Sequence, residues 1–314
     1  MSREVIYDII GVGIGPFNLG LAALTHPIKD LTCLFIDRKK EFNWHAGLMF
    51  DDATLQVPFL ADLVTMANPS SPFSFLNYLK EVDRLYKFYI REDFFMLRKE
   101  YNKYCQWVLS QLENCWFGHE VVTISFDETS KLYSVLIQNS ITDEANWYTT
   151  KNIVLGVGNT PKLPSYVKPE YAQYVCHASD YLLNKKEFSA RKSVTVIGSG
   201  QSAAEVFNDL LQNRNEEAEL NWFSRPDRFF PMEYSKLTLE LTSPEYVDHY
   251  HALPASKRES ILKGQNSLYK GINYDLINSI YDTLYQQSVD EENLPVTLSP
   301  CSELLSMEET PDKR

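Results

Sequence analysis

The N-terminal part of the chain alternates between apolar runs and a helical spacing of apolar residues. The apolar run Val5–Ile10 is followed by a glycine-rich turn, then by a helical pattern over Phe17–Thr25, and then by a second apolar run, Leu31–Ile36. Short, continuous apolar runs bounded by turn residues are typical of buried strands in a parallel sheet. The order therefore predicts a strand, a turn, a helix and a second strand.

The same arrangement returns in the second half of the chain. The runs Ser193–Ile197 and Glu219–Phe223 flank another glycine-rich turn and a helical pattern that is predicted over Ala203–Asn213. A strand, glycine turn, helix and strand in this order form a unit that binds a dinucleotide through its pyrophosphate. Two such units predict two nucleotides, an arrangement that suits a flavin enzyme reduced by a nicotinamide.

The segments around these units predict further elements. Residues 42–72 are rich in Trp, His, Pro and Gln and predict a loop, whereas apolar residues three and four apart predict helix over 73–114. The tyrosine-rich stretch 231–287 is also predicted to be helical. Further strands are predicted at Glu120–Phe126, Leu132–Gln138, Trp147–Leu155 and Leu294–Leu305. The first three of these are expected to form a small antiparallel layer.

The first glycine turn has the residues that a pyrophosphate requires. Gly11 permits the tight turn, Gly13 lets the phosphates approach the backbone, and the helix N-terminus offers free N–H groups. Pro16 follows Gly15 where a third glycine is usual, and proline is acceptable there because its N–H would be unpaired anyway. Asp37 lies 22 residues after Gly15, where a carboxylate accepts hydrogen bonds from ribose and repels a 2′-phosphate. The first site therefore suits the adenosine half of FAD or NAD.

The second turn differs at the end of its second strand. The turn consists of Gly198, Ser199, Gly200, Gln201 and Ser202. The following strand ends in Arg225 instead of an acid, and a guanidinium can clamp a 2′-phosphate, which favours NADPH at this site. Either glycine cluster alone could be no more than a tight strand-to-helix turn, but both are matched by strand, helix and strand-tip residues.

These patterns predict an α/β fold with two Rossmann-like dinucleotide-binding domains, for FAD and NADPH, and a helical substrate-domain insertion. A cluster of turn residues, Gly156–Pro161, is expected to mark the crossing between the domains. The predicted divisions are residues 1–165 for the FAD-binding domain, 166–230 for the NADPH-binding domain, 231–290 for the helical substrate or lid insertion, and 291–314 for the start of a return to the FAD domain.

Composition narrows the partners and the compartment. The net charge of −12 over 314 residues argues against nucleic acid as a partner, because phosphate binding needs clustered Lys and Arg. The apolar stretch Val5–Leu24 contains Asp8 and Pro16, so it predicts a buried strand, turn and helix and no membrane span. The cysteines are odd in number and lack CxxC spacing, which predicts reduced thiols, a cytoplasmic protein and no metal site.

In these motifs the chain resembles the flavin-dependent N-hydroxylating monooxygenases of siderophore biosynthesis, the lysine and ornithine N-monooxygenase family. The resemblance implies that FAD binds at the first turn and NADPH at the second. It also implies that O2 adds to the reduced flavin as a C4a-hydroperoxide, whose distal oxygen a neutral primary amine attacks. The matching segments are Gly11–Leu19, Phe42–His45, Leu55–Val64, Asn68–Leu79, Gly198–Glu205 and Tyr274–Ile277.

The resemblance also implies roles for individual residues. Phe17 and Asn18 belong to the Pro-Phe-Asn form of the turn that characterises the family, and they join the glycines as cofactor-binding residues. Trp44, His45 and Gln56 match positions that line the flavin. Gln56 and His45 are the candidate catalytic residues near the reacting ring, although a histidine beside a tryptophan also fits cofactor packing alone.

Two substrate positions depart from the family pattern. Ala61 stands where members that hydroxylate amino acids have a lysine that pairs with the substrate carboxylate, and Leu268 stands near the place of an asparagine in the ornithine enzymes. A buried carboxylate without a partner is costly. The expected substrate is therefore an amine without an α-carboxylate, such as putrescine, cadaverine or histamine. L-Lysine or L-ornithine remains the alternative.

The resemblance implies further expectations about the whole protein. Family members continue beyond the length of this chain, so the C-terminal part of the FAD domain is expected to be missing. A homo-oligomer, a tetramer by family resemblance, is expected. A hypothesis of another class is a truncated, non-catalytic homologue that binds NADP or a partner subunit.

Overall fold

The computed structural model describes residues 5–215, 217–268, 270–291 and 293–309. The chain divides into two compact units between Thr160 and Pro161. This division falls within the predicted cluster of turn residues at Gly156–Pro161. Among the described residues, no helix is both long and apolar enough to cross a membrane.

The first unit combines a sheet with helices on one of its faces. Its strands are β1 (Ile6–Val12), β2 (Cys33–Asp37), β3 (Cys115–Phe117), β4 (His119–Asp127), β5 (Leu132–Asn139) and β6 (Ala145–Leu155). Its helices are α1 (Pro16–Thr25), α2 (Phe75–Glu81), α3 (Leu85–Arg91) and α4 (Arg98–Leu109). The helical region predicted over 73–114 is therefore interrupted twice, at Asp83 and Glu92, which both have left-handed backbones with φ of 55° and 50°.

The six-stranded sheet has the order β3-β2-β1-β6-β5-β4. β1 pairs in parallel with β2 and β6, and Ile10 lies opposite Leu34 and Ile153. β4, β5 and β6 form the predicted antiparallel set. Because β6 also pairs with β1, these strands continue the hydrogen bonding of the parallel sheet.

The pleat of β2 divides the core into two clusters. Successive side chains of a strand point to opposite faces, so Cys33 and Phe35 pack with α1, α2 and α4. Leu34 and Ile36 pack with Ile10 of β1 and with apolar residues of β5. Apolar side chains of β5 therefore pack against the side chains of β1 and β2 that point away from the helices.

The second unit is built around a smaller parallel sheet. Its strands are β7 (Ser193–Ile197), β8 (Glu219–Phe223) and β9 (Val296–Ser299), in that order. Its helices are α5 (Tyr181–Ser189), α6 (Gln201–Asn213), α7 (Lys236–Leu239), α8 (Pro244–Ala252), α9 (Ala255–Gly264) and α10 (Tyr274–Asp290). The strands β7 and β8 and the end of α6 agree with the sequence prediction.

The helical insertion forms the connection between two parallel neighbours. Parallel strands need a crossover connection, and the segment from α7 to α10 supplies it between β8 and β9. Within this segment α10 packs against α6, and the side chain of Gln287 donates to the Leu211 carbonyl at 3.4 Å.

The last predicted strand differs from expectation in length. The strand predicted over Leu294–Leu305 is confined to β9, which pairs in parallel with β8 and adds a third strand to the sheet of the second unit. Residues 310–314 of the predicted return lie outside the described residues.

Candidate functional site

The turn between β1 and α1 is held closed by backbone contacts. Gly13 has a φ of 87°, and a Cβ on it would lie 2.4 Å from the carbonyl oxygen of Gly156. The Gly13 N–H donates to the Ile36 carbonyl at 2.7 Å, and the Gly156 N–H donates to the Val12 carbonyl at 2.7 Å. A side chain at this position would therefore strain the backbone and separate the ends of β1 and β6.

Asp37 connects the end of β2 to the glycine turn. One carboxylate oxygen accepts from the Ile14 N–H at 2.8 Å, and the other accepts from the Lys39 N–H at 2.8 Å. A carboxylate has about four acceptor positions, so Asp37 keeps capacity for a ribose hydroxyl. The carboxylate borders a small pocket lined by Ile14, Gly15, Asp37, Lys39, Phe42, Asn43, Trp44 and Phe117.

The first turn of α1 is available to an anion. Gly15 is the N-cap residue, no side chain caps the helix, and Pro16 follows it. Gly11 packs against Phe35, whereas a Cβ on Gly15 would meet only the Gly156 oxygen at 4.0 Å. Free N–H groups under open space fit a pyrophosphate.

The two remaining residues of the turn motif have opposite environments. The side chain of Phe17 is 93% exposed. Asn18 is buried, and its amide donates to the Gly13 carbonyl at 2.8 Å and to the Val154 carbonyl at 3.5 Å. Asn18 therefore holds the backbone of the turn through its side-chain amide.

Trp44 and His45 form one aromatic surface in the loop after β2. Their rings meet edge to face with centroids 4.5 Å apart, and Trp44 also packs on Tyr101. The backbone N–H of Trp44 donates to the side-chain oxygen of Asn102 at 2.9 Å. Both residues are predicted from the sequence to line the flavin, and in the structure Trp44 lines the pocket that Asp37 borders.

His45 is held in an unusual backbone conformation. Its φ is 49°, in the left-handed region, and its carbonyl accepts from the Leu48 N–H at 2.8 Å. Desolvation lowers the pKa of His45 below its usual value, and the positive charges of Arg98 and Lys39 act in the same direction. A neutral imidazole at neutral pH can accept one hydrogen bond and donate another.

Gln56 and Ala61 lie on a surface loop of the first unit. Both residues are exposed. Gln56 immediately follows Leu55, whose N–H donates to the Met96 carbonyl at 2.9 Å, and the Ala61 N–H donates to the Pro58 carbonyl at 2.9 Å. The backbone contacts give this loop a defined path, and the Gln56 amide and the Ala61 methyl remain accessible.

Asp62 organises this loop, and the sequence analysis missed it. One oxygen of its half-buried carboxylate accepts from the N–H groups of Val64 and Thr65 at 2.9 and 2.6 Å. The other accepts from the Thr65 hydroxyl at 2.7 Å and from the Phe75 N–H at 2.7 Å. These four bonds occupy the acceptor positions of the carboxylate. The available signal was Asp followed three residues later by Thr, a pattern typical of a side chain that bonds local backbone.

The loop also lies close to helix α1. A Cβ on Gly20, in α1, would come within 2.7 Å of the Leu63 carbonyl oxygen. The absence of a side chain at Gly20 therefore allows the loop to cross the helix directly after Ala61 and Asp62. The candidate substrate position is in this way connected to the helix that begins at the first glycine turn.

The second glycine turn is hydrogen-bonded to a tryptophan side chain of β8. Gly198 has a φ of 151°, and its carbonyl accepts from the Trp222 indole N–H at 2.8 Å. Gly200 is the N-cap of α6, where no side chain caps the helix and a Cβ would meet nothing within 4 Å. Ser199 is half-buried and Ser202 is exposed. This turn also offers free helix N–H groups beneath open space.

Gln201 joins two elements of the second unit. Its side-chain oxygen accepts from the Asn273 N–H at 2.9 Å, and its amide donates to Glu205 at 3.0 Å. Asn273 is in turn the N-cap of α10, where its side chain accepts from the Leu276 N–H at 2.8 Å. The Gln201 side chain is therefore engaged in holding α10 beside the turn.

Arg225 lies just beyond the end of β8, as predicted for a residue that recognises a 2′-phosphate. Its side chain is 78% exposed and pairs loosely with Glu303, with 3.6 Å between Nη1 and Oε1. The neighbouring Ser224 is buried. The five N–H donors of an exposed guanidinium can donate to phosphate oxygens with little rearrangement.

Leu268, the second predicted substrate position, lies in a short turn of the second unit. It is half-buried at the end of a 3-10 turn, Asn266–Leu268, and its N–H donates to the Gln265 carbonyl at 3.1 Å. Ala61 belongs to the first unit and Leu268 to the second. No group of three or more potential metal ligands occurs among the residues that the structure describes.

Comparison with known proteins identifies relatives over nearly the whole chain. Residues 5–314 match the family described as L-lysine 6-monooxygenase/L-ornithine 5-monooxygenase. The chain is 51% identical to putrescine N-hydroxylase of Shewanella oneidensis over 285 residues, which are 90% of this chain and 57% of that protein. It is 46% identical to putrescine N-hydroxylase of Acinetobacter baumannii over 310 residues, which are 98% of this chain and 69% of that protein.

A solved structure agrees with these relatives. The fold is similar to that of DfoA bound to FAD, the cadaverine monooxygenase of the desferrioxamine biosynthetic pathway from Erwinia amylovora, with a TM-score of 0.94 and 47% identity. The comparison covers 98% of this chain and 72% of that chain. The chain thus spans between about three fifths and three quarters of the length of these relatives. The resemblance inferred from the sequence motifs is confirmed, and the chain belongs to the L-lysine 6-monooxygenase/L-ornithine 5-monooxygenase family.

Proposed function

We propose that this protein takes part in siderophore biosynthesis by hydroxylating the nitrogen of a primary amine that has no α-carboxylate, with FAD, NADPH and O2. A diamine such as putrescine or cadaverine is the favoured substrate. The observation that carries the proposal is the exposed methyl group of Ala61 at the position where amino-acid-hydroxylating members have a lysine. The alternative substrates L-lysine and L-ornithine would bring a carboxylate to a position where Ala61 itself supplies no positive charge.

The names of the relatives support this substrate class. Two proteins at 51% and 46% identity are putrescine N-hydroxylases. The structurally similar DfoA is a cadaverine monooxygenase at 47% identity. Both names refer to linear diamines without a carboxylate, which is the class that the Ala61 position favours.

The first unit is the proposed flavin site. Gly11, Gly13 and Gly15 with the first turn of α1 would hold the pyrophosphate, and Asp37 would accept hydrogen bonds from ribose. Trp44 would border the adenosine half, and exposed Phe17 would cover the cofactor. Bound flavin supplies the activation of O2 that no protein side chain provides.

The second unit is the proposed NADPH site. The N–H groups after Gly200 would hold the pyrophosphate beside Ser199 and Ser202, and Arg225 would bind the 2′-phosphate. Gln201 would contribute through the position of α10, because its side chain already bonds Asn273. The helical segment 231–290 is the proposed substrate or lid insertion, in which Leu268 provides an apolar contact.

Gln56 and His45 are proposed to act on hydrogen bonds near the reacting flavin ring. The exposed amide of Gln56 can donate to a polar atom and accept from an amine. The lowered pKa of His45 keeps its imidazole uncharged at neutral pH, so it can accept a hydrogen bond from the substrate nitrogen without repelling a positive charge.

The location and assembly of the protein are also proposals. Five unpaired cysteines, Cys33, Cys105, Cys115, Cys176 and Cys301, suit the reducing cytoplasm, where NADPH is also available. A homo-oligomer is proposed on the precedent of the family.

The proposal is tested by an amine panel with matched variants at position 61. NADPH oxidation and hydroxylamine formation are measured with putrescine, cadaverine, histamine, L-ornithine and L-lysine. Diamines are expected to be the best substrates of the wild type. Ala61→Lys should lower diamine turnover and raise the relative use of L-ornithine or L-lysine, whereas Ala61→Met adds length without charge and should not. A wild type that prefers the amino acids would refute the substrate assignment.

A further inference from the structure

The chain after β9 lies directly against the end of β8. Three backbone hydrogen bonds join the two segments, from Ser224 N–H to the Ser299 carbonyl at 3.0 Å, from Ser302 N–H to the Ser224 carbonyl at 2.9 Å, and from Cys301 N–H to the Pro226 carbonyl at 2.8 Å. Cys301 itself turns in the left-handed region with a φ of 55°. The path of residues 299–303 is therefore fixed relative to the tip of β8.

This path brings Glu303 to the side chain of Arg225. The two form an ion pair with 3.6 Å between Nη1 and Oε1, and their side chains are 78% and 58% exposed. Such an exposed pair at this distance contributes little to stability. It does place a carboxylate within a few ångströms of the guanidinium that is expected to receive a phosphate.

We propose that Glu303 is a specificity-determining residue of the nucleotide site, which weakens the binding of 2′-phosphorylated nucleotides by competing for Arg225 and by repelling the phosphate. This inference rests on the proposed assignment of the second unit to NADPH. Glu303 would then be a second charged residue of this site, and it belongs to the segment after β9, which lies far along the chain from the glycine turn.

The sign of the effect follows from the exposure of the pair. If Glu303 mainly oriented Arg225, its removal would weaken phosphate binding. A loosely paired guanidinium in water is poorly oriented by its partner, because the interaction is screened and both side chains stay mobile. Repulsion between two anions that share one cation is then the larger contribution, and it acts on NADP+ but not on NAD+.

The test is calorimetric titration of NADP+ and NAD+ into the wild type and Glu303→Gln at low ionic strength. The substitution is expected to tighten NADP+ binding roughly two- to fivefold, and to change NAD+ binding much less. The gain should shrink as salt is added. Glu303→Asp should return the affinity toward that of the wild type, since it restores the charge.

A matched control separates the local effect from the change in net charge. Glu187→Gln removes one charge from another exposed glutamate–arginine pair of the same unit, formed with Arg191, and should leave both affinities unchanged. NADP+ affinity that is unchanged or weaker in Glu303→Gln would overturn the inference while the NADPH assignment stands. No NADP+ binding by the wild type itself would instead refute the NADPH assignment, and the role of Glu303 with it.

Discussion

The two glycine turns have the same order of strand, turn and helix, but backbone of another strand end encloses the middle glycine of the first turn, whereas the second glycine of the other turn is open. In the first, Gly13 lies against the Gly156 carbonyl and Asp37 bonds the backbone on both sides. In the second, a Cβ on Gly200 would meet nothing within 4 Å, and Arg225 is largely exposed. The enclosed turn suits a cofactor that stays bound, and the open turn suits a nucleotide that exchanges in every catalytic cycle.

The charges of the two turns differ in the same way. Asp37 is already an acceptor for two backbone N–H groups, so its position is determined before a ligand arrives. Among the described residues, the Arg225 guanidinium forms a loose pair with Glu303, so its position is less constrained than that of Asp37. On the proposed assignment, one local fold is adapted to two nucleotides by the residue that follows its second strand.

The largest expected effect is the loss of stability caused by a methyl group at Gly13, compared with the same change at Gly200. Gly13→Ala forces a left-handed residue against the Gly156 carbonyl, and it should lower the free energy of unfolding of the first unit by about 2–5 kcal/mol. Gly200→Ala meets open space and should cost about 1 kcal/mol or less. Urea denaturation followed by circular dichroism measures both. Equal losses in the two variants would remove the distinction between the turns.

A somewhat smaller effect is expected from the loop that carries Ala61. Asp62→Asn replaces one acceptor oxygen by a donor that faces two other donors, which should destabilise the first unit by about 2–4 kcal/mol. The matched control is Asp127→Asn, because Asp127 also accepts from a backbone N–H and a hydroxyl, but in an exposed hairpin. Similar losses of stability in both variants would show that Asp62 has no special part in holding the loop.

Much of this architecture could be predicted from the sequence, and particular residues explain the rest. The strands β1 and β2 follow from largely apolar runs, and β7 and β8 from the segments that flank the second glycine turn. Asp37 and Arg225 follow from their position after β2 and β8. The short strand β3 was not predicted, because three residues at a sheet edge produce no periodic pattern. The strand predicted over Leu294–Leu305 proved shorter, since apolar residues there extend past the end of β9.

The candidate site shows the same limit. Contacts between distant segments, such as Glu303 with Arg225 or Gln201 with Asn273, leave no mark in local spacing. Asn18 is predicted to bind the cofactor because it belongs to the motif, and the structure adds that it is buried and donates to the Gly13 carbonyl. A motif identifies the residues of a turn, whereas the structure distinguishes those that support it from those that face a ligand.

The smallest expected effect concerns the pH dependence of the first unit. The folded pKa of His45 is lowered, so the unfolded chain binds more protons as the pH falls below the usual value of about 6.5. The stability of the first unit should therefore decrease as the pH falls through this range, and less so in His45→Gln. Denaturation midpoints at several pH values measure the difference. Identical pH profiles for the wild type and the variant would contradict the assignment to His45.

The most direct test of the account is to titrate FAD and NADP+ into the wild type, Asp37→Asn and Arg225→Ala, and to measure both affinities in each. Asp37→Asn is expected to weaken FAD binding alone. Arg225→Ala is expected to weaken NADP+ binding roughly 10- to 100-fold through the loss of charge-assisted hydrogen bonds, with FAD and NAD+ unchanged. Loss of FAD binding in Arg225→Ala, or unchanged NADP+ binding in the same variant, would contradict the division of the two nucleotides between the two turns.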